Sequence, residues 1–389
     1  MTHTNGTGTT EKLLIKRLKV SGLLSFGPTG IDLPMRGLNV LIGANGSGKS
    51  NFLEILALLR AAAKGQFGAG GELLWKGEGD QPSAEGTIDV TISNPDQSTA
   101  LRHILTVFNS GPRLEVADER IEAEGVAKKL YYRYDRGKPV LGPPKSRTNM
   151  AGAIHPDRSV LAQVKDPVRY PELASLEKAY AGLRLYRNWH FGPAASLRRE
   201  QSVHLPNDFL LEDGCENLAH VLDGMLANAR PQLDESLKKL YEGIEGIRNQ
   251  RLSSAIQLFI RESGDRQIRA TRLSDGTLRY LCLLAILLHP QPPPLVAIEE
   301  PELGLHPDLI PQVADLLRDA ATRTQLVVTT HSSMLVDALG DQPESIVICE
   351  KYQGESSFER LEGKRMKALL KLDSLGELWS RGQLGGNRW

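Results

Sequence analysis

Gly43-Ala44-Asn45-Gly46-Ser47-Gly48-Lys49-Ser50 follows the apolar run Leu38-Asn39-Val40-Leu41-Ile42 and precedes Phe52-Leu53-Glu54-Ile55-Leu56-Ala57-Leu58-Leu59. The order is that of a strand, a glycine-rich turn and a helix, and the turn fits G-x-x-x-x-G-K-[ST] at every fixed position. Its three glycines let the backbone wrap closely around a polyphosphate, with successive N–H groups and the helix N-terminus aimed at the anion. Lys49 is expected to reach the terminal phosphates and the Ser50 hydroxyl to ligate Mg²⁺. The stretch therefore predicts an α/β fold of the P-loop NTPase class and a nucleoside triphosphate as ligand.

The rest of the composition narrows the setting. With 389 residues, 40% of them hydrophobic, the chain can bury a large core. Lys plus Arg and Asp plus Glu both number 47, so no global basic field pulls the molecule onto nucleic acid, and any such contact must be local. Cys215, Cys282 and Cys349 are too few and too far apart for a disulfide framework or a zinc site, which suits a reducing cytoplasm. Met1 to Thr10 is polar, without the apolar stretch of a signal peptide, and residues 1–11 read as a disordered tail. The longest apolar run, Leu281 to Leu288, is far short of the ~20 residues that cross a bilayer, so no membrane contact is expected.

Residues 12–389 read as one domain. Leu13 to Phe26 and Ile31 to Ile42 are predicted as two strands leading into the phosphate loop, and the helix after it runs to about Ala63 before a Gly-rich break at Gly65 to Gly71. Short alternating runs at residues 86–135 predict an inserted antiparallel β lobe. Residues 136–250 read as a loop, carrying Arg136, Lys138, Lys145, Arg147 and Arg158, followed by a small helical insertion with patterns at Glu172 to Leu183, Glu216 to Ala227 and Gln232 to Tyr241. No sustained heptad repeat follows the phosphate loop, which leaves no room for a long coiled-coil arm. Residues 251–389 return to β alternation at Ile256, Leu258 and Ile260 and then alternate helix and strand, with strands at Leu295 to Ile298, Leu326 to Thr329 and Ile346 to Cys349.

Three further motifs carry chemistry. Leu295-Val296-Ala297-Ile298-Glu299-Glu300-Pro301 is an apolar strand ending on two carboxylates, which a low-dielectric sheet edge does not hold without a cation or reactant. Beside a phosphate loop, Glu299 is the candidate for the metal shell and Glu300 for the base that polarises the attacking water. Leu326-Val327-Val328-Thr329-Thr330-His331-Ser332 is a second strand, ending in a histidine able to donate to the γ-phosphate or the attacking water. Leu273-Ser274-Asp275-Gly276-Thr277-Leu278-Arg279 is a polar turn opening an apolar helix, with Ser274 as its expected N-cap and a backbone that faces an anion.

In this order the four motifs resemble the ABC-type ATPase superfamily, and within it the soluble branch that includes RecF, the SMC heads and the OLD-type ATPases. Gly43 to Asn51 is similar to that family's phosphate loop, Leu273 to Arg279 to its signature motif, Glu299 to Pro307 to its Walker B and D-loop, and Thr329 to Ser332 to its switch histidine. The resemblance spans nearly the whole chain, and is nearest to short bacterial "AAA family ATPase" proteins whose ends also resemble Leu375-Gly376-Glu377-Leu378-Trp379 and Gly382-Gln383-Leu384-Gly385-Gly386. It implies ATP and Mg²⁺ as cofactors, with Gly43, Ala44 and Asn45 to Asn51 on the phosphates. It also implies that Ser274, Asp275, Gly276 and Thr277 contact the γ-phosphate of ATP on a second subunit, and that Glu302 to His306 line the seam of a homodimer formed on ATP binding. The chain departs from the pattern in three places. Glu299 stands where the family often has Asp, Leu24 replaces the usual basic residue near the end of the first strand, and no Q-loop glutamine is obvious, with Gln163 as a candidate.

The resemblance implies an ATP-hydrolysing switch that closes around ATP as a dimer, serving DNA repair, DNA maintenance or defence against foreign DNA. The alternative is an ATP-gated platform that regulates a nuclease or toxin partner, with hydrolysis incidental. A transporter subunit is disfavoured by Asp275, where the transporter motif has glycine, and by the large β-rich insertion. Arg184, Arg187, Arg198 and Arg199, interleaved with Tyr186, Trp189 and Phe191, have the pattern of a DNA-facing strip or of core aromatics with paired arginines.

Overall fold

The computed structural model describes residues 13–65, 67, 73–77, 81–94, 99–111, 113–125, 129–135, 137–142, 148–149, 154–202, 210–226, 229–251, 253–362 and 373–385. The expected N-terminal tail, Arg136, Lys145, Arg147, most of Gly65 to Gly71 and Gly386 lie outside these residues.

The chain opens with β1 (Ile15–Ser21), β2 (Ile31–Pro34) and β3 (Leu38–Ile42). Ile31 to Ile42 is thus two strands and not one. β2 turns back on β1, whereas β3 enters another sheet between parallel neighbours. The break at Met35-Arg36-Gly37 is held by fully buried Asn39, whose amide donates to Arg36 O at 2.7 Å and Leu326 O at 3.0 Å while its oxygen accepts from Arg36 N at 3.0 Å. A buried amide in a central strand is tolerable because its polar atoms are engaged.

α1 (Lys49–Lys64) follows the loop and ends at Gly65, whose left-handed backbone closes the last turn. Next come β4 (Glu85–Ile92), β5 (Leu101–Ser110), β6 (Arg113–Ala123), β7 (Leu130–Asp135), β8 (Lys138–Leu141) and β9 (Thr148–Asn149). They form the predicted antiparallel meander, but it continues into the stretch expected to be a loop and is completed by the N-terminal strands in an eight-stranded sheet of order β2-β1-β4-β5-β6-β7-β8-β9. The lobe therefore grows out of the first hairpin. Helices α2 (Val160–Gln163) and α3 (Pro171–Ala181) lead to β10 (Arg184–Tyr186).

A smaller antiparallel sheet holds β11 (Gln201–Ser202), β12 (Ile244–Arg251), β13 (Ala255–Glu262) and β14 (Arg266–Arg269), with α4 (Leu218–Met225) and α5 (Arg230–Lys238) between β11 and β12. The C-terminal part alternates α6 (Asp275–Leu287), β15 (Leu295–Glu299), α7 (Ile310–Ala321), β16 (Gln325–Thr330), α8 (Ser333–Ala338) and β17 (Ile346–Tyr352). β18 (Glu355–Arg360) and α9 (Leu375–Ser380) close the chain.

β10, β15, β16, β3 and β17 lie side by side and parallel, with β18 antiparallel at the edge. Helix layers on both faces explain why these strands read as unbroken apolar runs. Val40, Ile298, Val328 and Ile348 belong to one hydrophobic core with α4, α6, α7 and α8, whereas Leu41, Ala297, Val327 and Val347 belong to a second with α1, α3 and the eight-stranded sheet. Successive residues of each strand thus feed opposite cores, and the strands' C-terminal ends are left at one rim. Among the described residues no helix is long and apolar enough to cross a membrane.

Candidate nucleotide-binding and hydrolysis site

The phosphate loop leaves β3 at Ile42 and enters α1 at Lys49, with Asn45, Gly46 and Ser50 exposed at its crest, Gly43, Ser47 and Gly48 buried beneath, and Ala44 and Asn51 half-buried. Gly48 is required twice over. Its φ of 102° is left-handed, and a Cβ there would lie 2.3 Å from Ser356 Oγ and 2.8 Å from Ser25 Oγ. Those hydroxyls bond each other at 2.7 Å, so β18 and the turn after β1 brace the loop from below. Leu24 in that turn is partly buried against the second core, in keeping with its lack of a charge.

The Lys49 ammonium donates to Gly43 O at 2.7 Å and Ala44 O at 2.9 Å, with Ser47 Oγ at 3.4 Å. Burial lowers its pKa, opposed by the nearby Cys349, Glu300 and Glu299. Glu299, the last residue of β15, accepts a short hydrogen bond from the Ser50 hydroxyl. The two predicted metal residues are therefore in contact. A hydroxyl and a carboxylate are hard oxygen donors of the kind Mg²⁺ takes when phosphates and water complete its shell, so the residues present fit the ion.

Adjacent Glu300 points elsewhere. Its φ of 47° is left-handed, unusual for a side chain of that size, and its N–H donates to Thr329 O at 2.9 Å. The turn swings its carboxylate to 3.5 Å from His331 Nε2. Burial and the Lys49 charge lower the His331 pKa against the opposing pull of Glu300, which leaves the imidazole neutral at neutral pH. The two acids that the sequence makes neighbours are thus separated, one toward Ser50 and one toward the histidine.

Glu302, expected at a dimer seam, turns inward instead. It accepts from Thr330 Oγ1 at 2.5 Å and from His331 N at 3.3 Å, and burial raises its pKa. It props the end of β16, while Leu303, Gly304 and His306 remain exposed. Ser274 caps α6 as expected, accepting from Thr277 N at 3.0 Å. A Cβ on Gly276 would stand 2.6 Å from Gly304 O, so only glycine lets this turn lie against the Leu303-Gly304 turn. Arg279, one turn into α6, donates to Leu303 O and stacks its guanidinium 4.8 Å from the Trp189 ring centroid. Asp275, Gly276, Arg279, Leu303, Trp189 and Phe191 line an open cavity of about 690 Å³.

One expectation fails on geometry. Gln163 spends its side-chain amide on His155 and Arg158 beside it, with Nε2 donating to both carbonyls at 2.9 Å and Oε1 accepting from His155 N at 2.8 Å, and is not presented to the phosphate loop. Of the two readings of residues 184–199, core aromatics with paired arginines describes Tyr186, Phe191, Arg187 and Arg198, and a free strip does not. Arg184 lies in β10, Tyr186 and Phe191 are buried, and Trp189 Nε1 donates to Glu299 O at 2.9 Å. Arg187 pairs with Glu54 at 2.5 Å and Glu299 at 3.4 Å, a site contact that sequence reasoning missed. The signal is the register: Tyr186 pairs with Ile298, which sets the following arginine beside Glu299, but only once β10 is known to be a strand.

Arg198 is 6% exposed and donates to Phe191 O at 2.6 Å and Leu273 O at 2.6 Å, with Asp275 as its ionic partner. Arg198→Ala is expected to cost about 2–3 kcal/mol, because it leaves buried carbonyls without a donor, whereas exposed Arg199→Ala should stay within about 0.5 kcal/mol of the parent. Chemical denaturation of both variants checks this, and equal midpoints would remove Arg198 as the brace of the signature turn.

The family described as "AAA domain, putative AbiEii toxin, Type IV TA system" matches residues 38–141 and 159–337. No protein with a curated description matches. Among solved structures, an SMC head bound to the C-winged helix domain of ScpA aligns at a TM-score of 0.58 and 16% identity over 90% of this chain and 98% of that one. An SMC head with an extended coiled coil bound to the C-terminal domain of ScpA from Pyrococcus furiosus aligns at 0.58 and 13%, over 92% and 98%. A third, with a coiled coil and joint, from Pyrococcus yayanosii, aligns at 0.52 and 14%, over 92% and 99%. Such identities carry the fold alone. The match by family covers most of the chain, and the chain belongs to that AAA ATPase family, with the fold of SMC heads.

Proposed function

We propose that the protein binds ATP with Mg²⁺ on Gly43–Asn51 and hydrolyses it in a dimer whose two sites are each completed by the partner's signature turn. The observation that carries this reading is the shared rim of the parallel sheet. β3, β15 and β16 are adjacent, and their ends bring Lys49 and Ser50, Glu299 and Glu300, and His331 together, as ligand sites of open parallel sheets require. Ser50 and Glu299 would hold the metal, whose charge would offset that of the β- and γ-phosphates. Glu300 takes the proton of the attacking water, and neutral His331, 3.5 Å from it, orients that water or the γ-phosphate. Arg187 fixes the Glu299 carboxylate from the opposite side.

The shared site rests on the signature turn. Ser274 and Asp275 are exposed, and Asp275 pairs with Arg198 while Gly276 lies against Gly304, both far in sequence from residues 43–51. Buried thiols without a disulfide fit a cytoplasmic setting. DNA repair, maintenance or defence is the role we assign to the switch. A second reading, an ATP-gated platform for a nuclease or toxin partner, is favoured by the toxin–antitoxin system in the family's description and by the partner that the aligned SMC heads carry.

Mixing two variants tests the composite site. Ser274→Arg sets a bulky cation where a small hydroxyl must approach the γ-phosphate, so each monomer should bind ATP yet hydrolyse it poorly. Mixed with Lys49→Ala, it can form a heterodimer with one intact site, and partial recovery of turnover is expected. Parental turnover by a Ser274→Arg protein that sediments as a monomer with ATP present would refute the shared site.

A further inference from the structure

The small sheet of β12, β13 and β14 has two unlike faces. Ile256, Leu258 and Ile260 of β13, with Ile247 of β12, enter the first core, and α4 and α5 pack on that side. Alternation sends Gln257, Phe259 and Arg261 to the other face. The register sets Arg248 of β12 and Arg269 of β14 on either side of Phe259, in one row across three strands. Gln250 beside Gln257 flanks this row on one side and Gln267 beside Arg261 on the other.

Phe259 is 5% exposed although it belongs to neither core, and the Arg269 guanidinium lies over its ring at 5.9 Å from the centroid. The ring thereby orders the cation that covers it. Charge on this face is unbalanced. Arg261 pairs with Glu245 at 3.3 Å, but Arg248, Arg269 and the adjoining Arg272 are exposed and have no ion pair among the described residues. No exposed large hydrophobic side chain belongs to these strands, so the face lacks the apolar anchor on which protein interfaces depend. Exposed guanidinium groups on neighbouring strands, flanked by carboxamides, match instead a ligand of repeated phosphates, to which Arg offers a two-pronged hydrogen bond.

We infer that the outer face of β12–β14 binds the phosphodiester backbone of a nucleic acid. The face is also wired to the site described above. β14 ends at Arg269, and Ala270 to Leu273 run directly into Ser274, with Arg198 donating to Ala270 O at 3.3 Å and Leu273 O at 2.6 Å. A phosphate drawing on Arg269 and Arg272 therefore loads the segment that positions the signature turn. The binding inference stands without the hydrolysis reading, since it rests on residues outside the phosphate loop.

The test uses the full chain and a fluorescently labelled oligonucleotide, duplex or single-stranded, with anisotropy followed across a range of salt. Arg248→Gln with Arg269→Gln removes two charges and keeps the amide donors. It is expected to lower low-salt affinity by about tenfold and to flatten the plot of log affinity against log salt by about two. ATP affinity, unchanged in the double variant, reports that the fold is intact. If that control fails, the single variants carry the test, each expected to flatten the slope by about one. Absence of salt-dependent binding by the parent, or equal slopes for parent and variants, overturns the assignment. So does tighter, arginine-dependent retention of poly-glutamate than of either oligonucleotide, which would give the face to an acidic protein.

Discussion

Glu300→Gln is expected to slow ATP hydrolysis by a factor on the order of 10² to 10⁴ while leaving ATP and Mg²⁺ binding in place. The amide keeps the size of the carboxylate but cannot accept a proton from water. Nothing else in the site changes hands: Ser50 and Glu299 remain in contact, and Lys49 keeps its place over the loop. The left-handed backbone at residue 300 still aims the side chain at His331, because glutamine meets the same steric limits there as glutamate. Binding without turnover should hold the closed state, so the variant with ATP is expected to sediment as a dimer where the parent exchanges. Single-turnover hydrolysis and sedimentation check the two halves. Hydrolysis at the parental rate would remove Glu300 as the base and turn attention to Glu299 and His331.

The parts of this site legible in the sequence are those fixed by local chemistry. The phosphate loop needs its glycines and lysine at set spacings, the buried strands must be apolar throughout, and Ser274 satisfies free N–H groups at a helix start. What escaped depends on residues far apart in the chain. Ile31 to Ile42 is apolar enough for one strand, and its division follows from partners at Val20 and Val328 that send the halves to different sheets. The β lobe looked inserted because its junction with β1 is a pairing with β4, across the phosphate loop and α1. Arg187 and Arg198 fit a DNA-facing strip as well as paired positions in the sequence, because arginine is mostly exposed. Their places are set by a three-residue strand and by carbonyls at positions 191 and 273, neither of which leaves a periodic trace. β12 leaves little trace for a related reason: its second half, Arg248 to Arg251, is polar throughout, so apolar alternation is confined to Ile244 and Ile247.

Lys49→Ala is expected to reduce ATP affinity by about 10²- to 10³-fold. Hydrogen bonds to charged groups contribute about 1.5–3 kcal/mol each, and loss of the contacts to the β- and γ-phosphates removes about 3–4 kcal/mol, at about 1.4 kcal/mol per decade. The loop itself also feels the change. The ammonium donates to Gly43 O and Ala44 O, so alanine leaves both carbonyls without that donor and the loop less ordered before any ligand arrives. Lys49→Met separates the two effects, since it fills the space of the methylene stem without donor or charge. If charge on the phosphates dominates, methionine and alanine should bind ATP equally poorly. A methionine variant that binds much better than the alanine variant would show that packing of the loop is the larger share. Calorimetric titration of both with ATP and Mg²⁺ measures the difference, with thermal melts to confirm that each is folded. Parental affinity in a folded Lys49→Ala protein would break the assignment of Gly43–Asn51 as the triphosphate site, and with it the roles given to Glu299, Glu300 and His331 at the same rim.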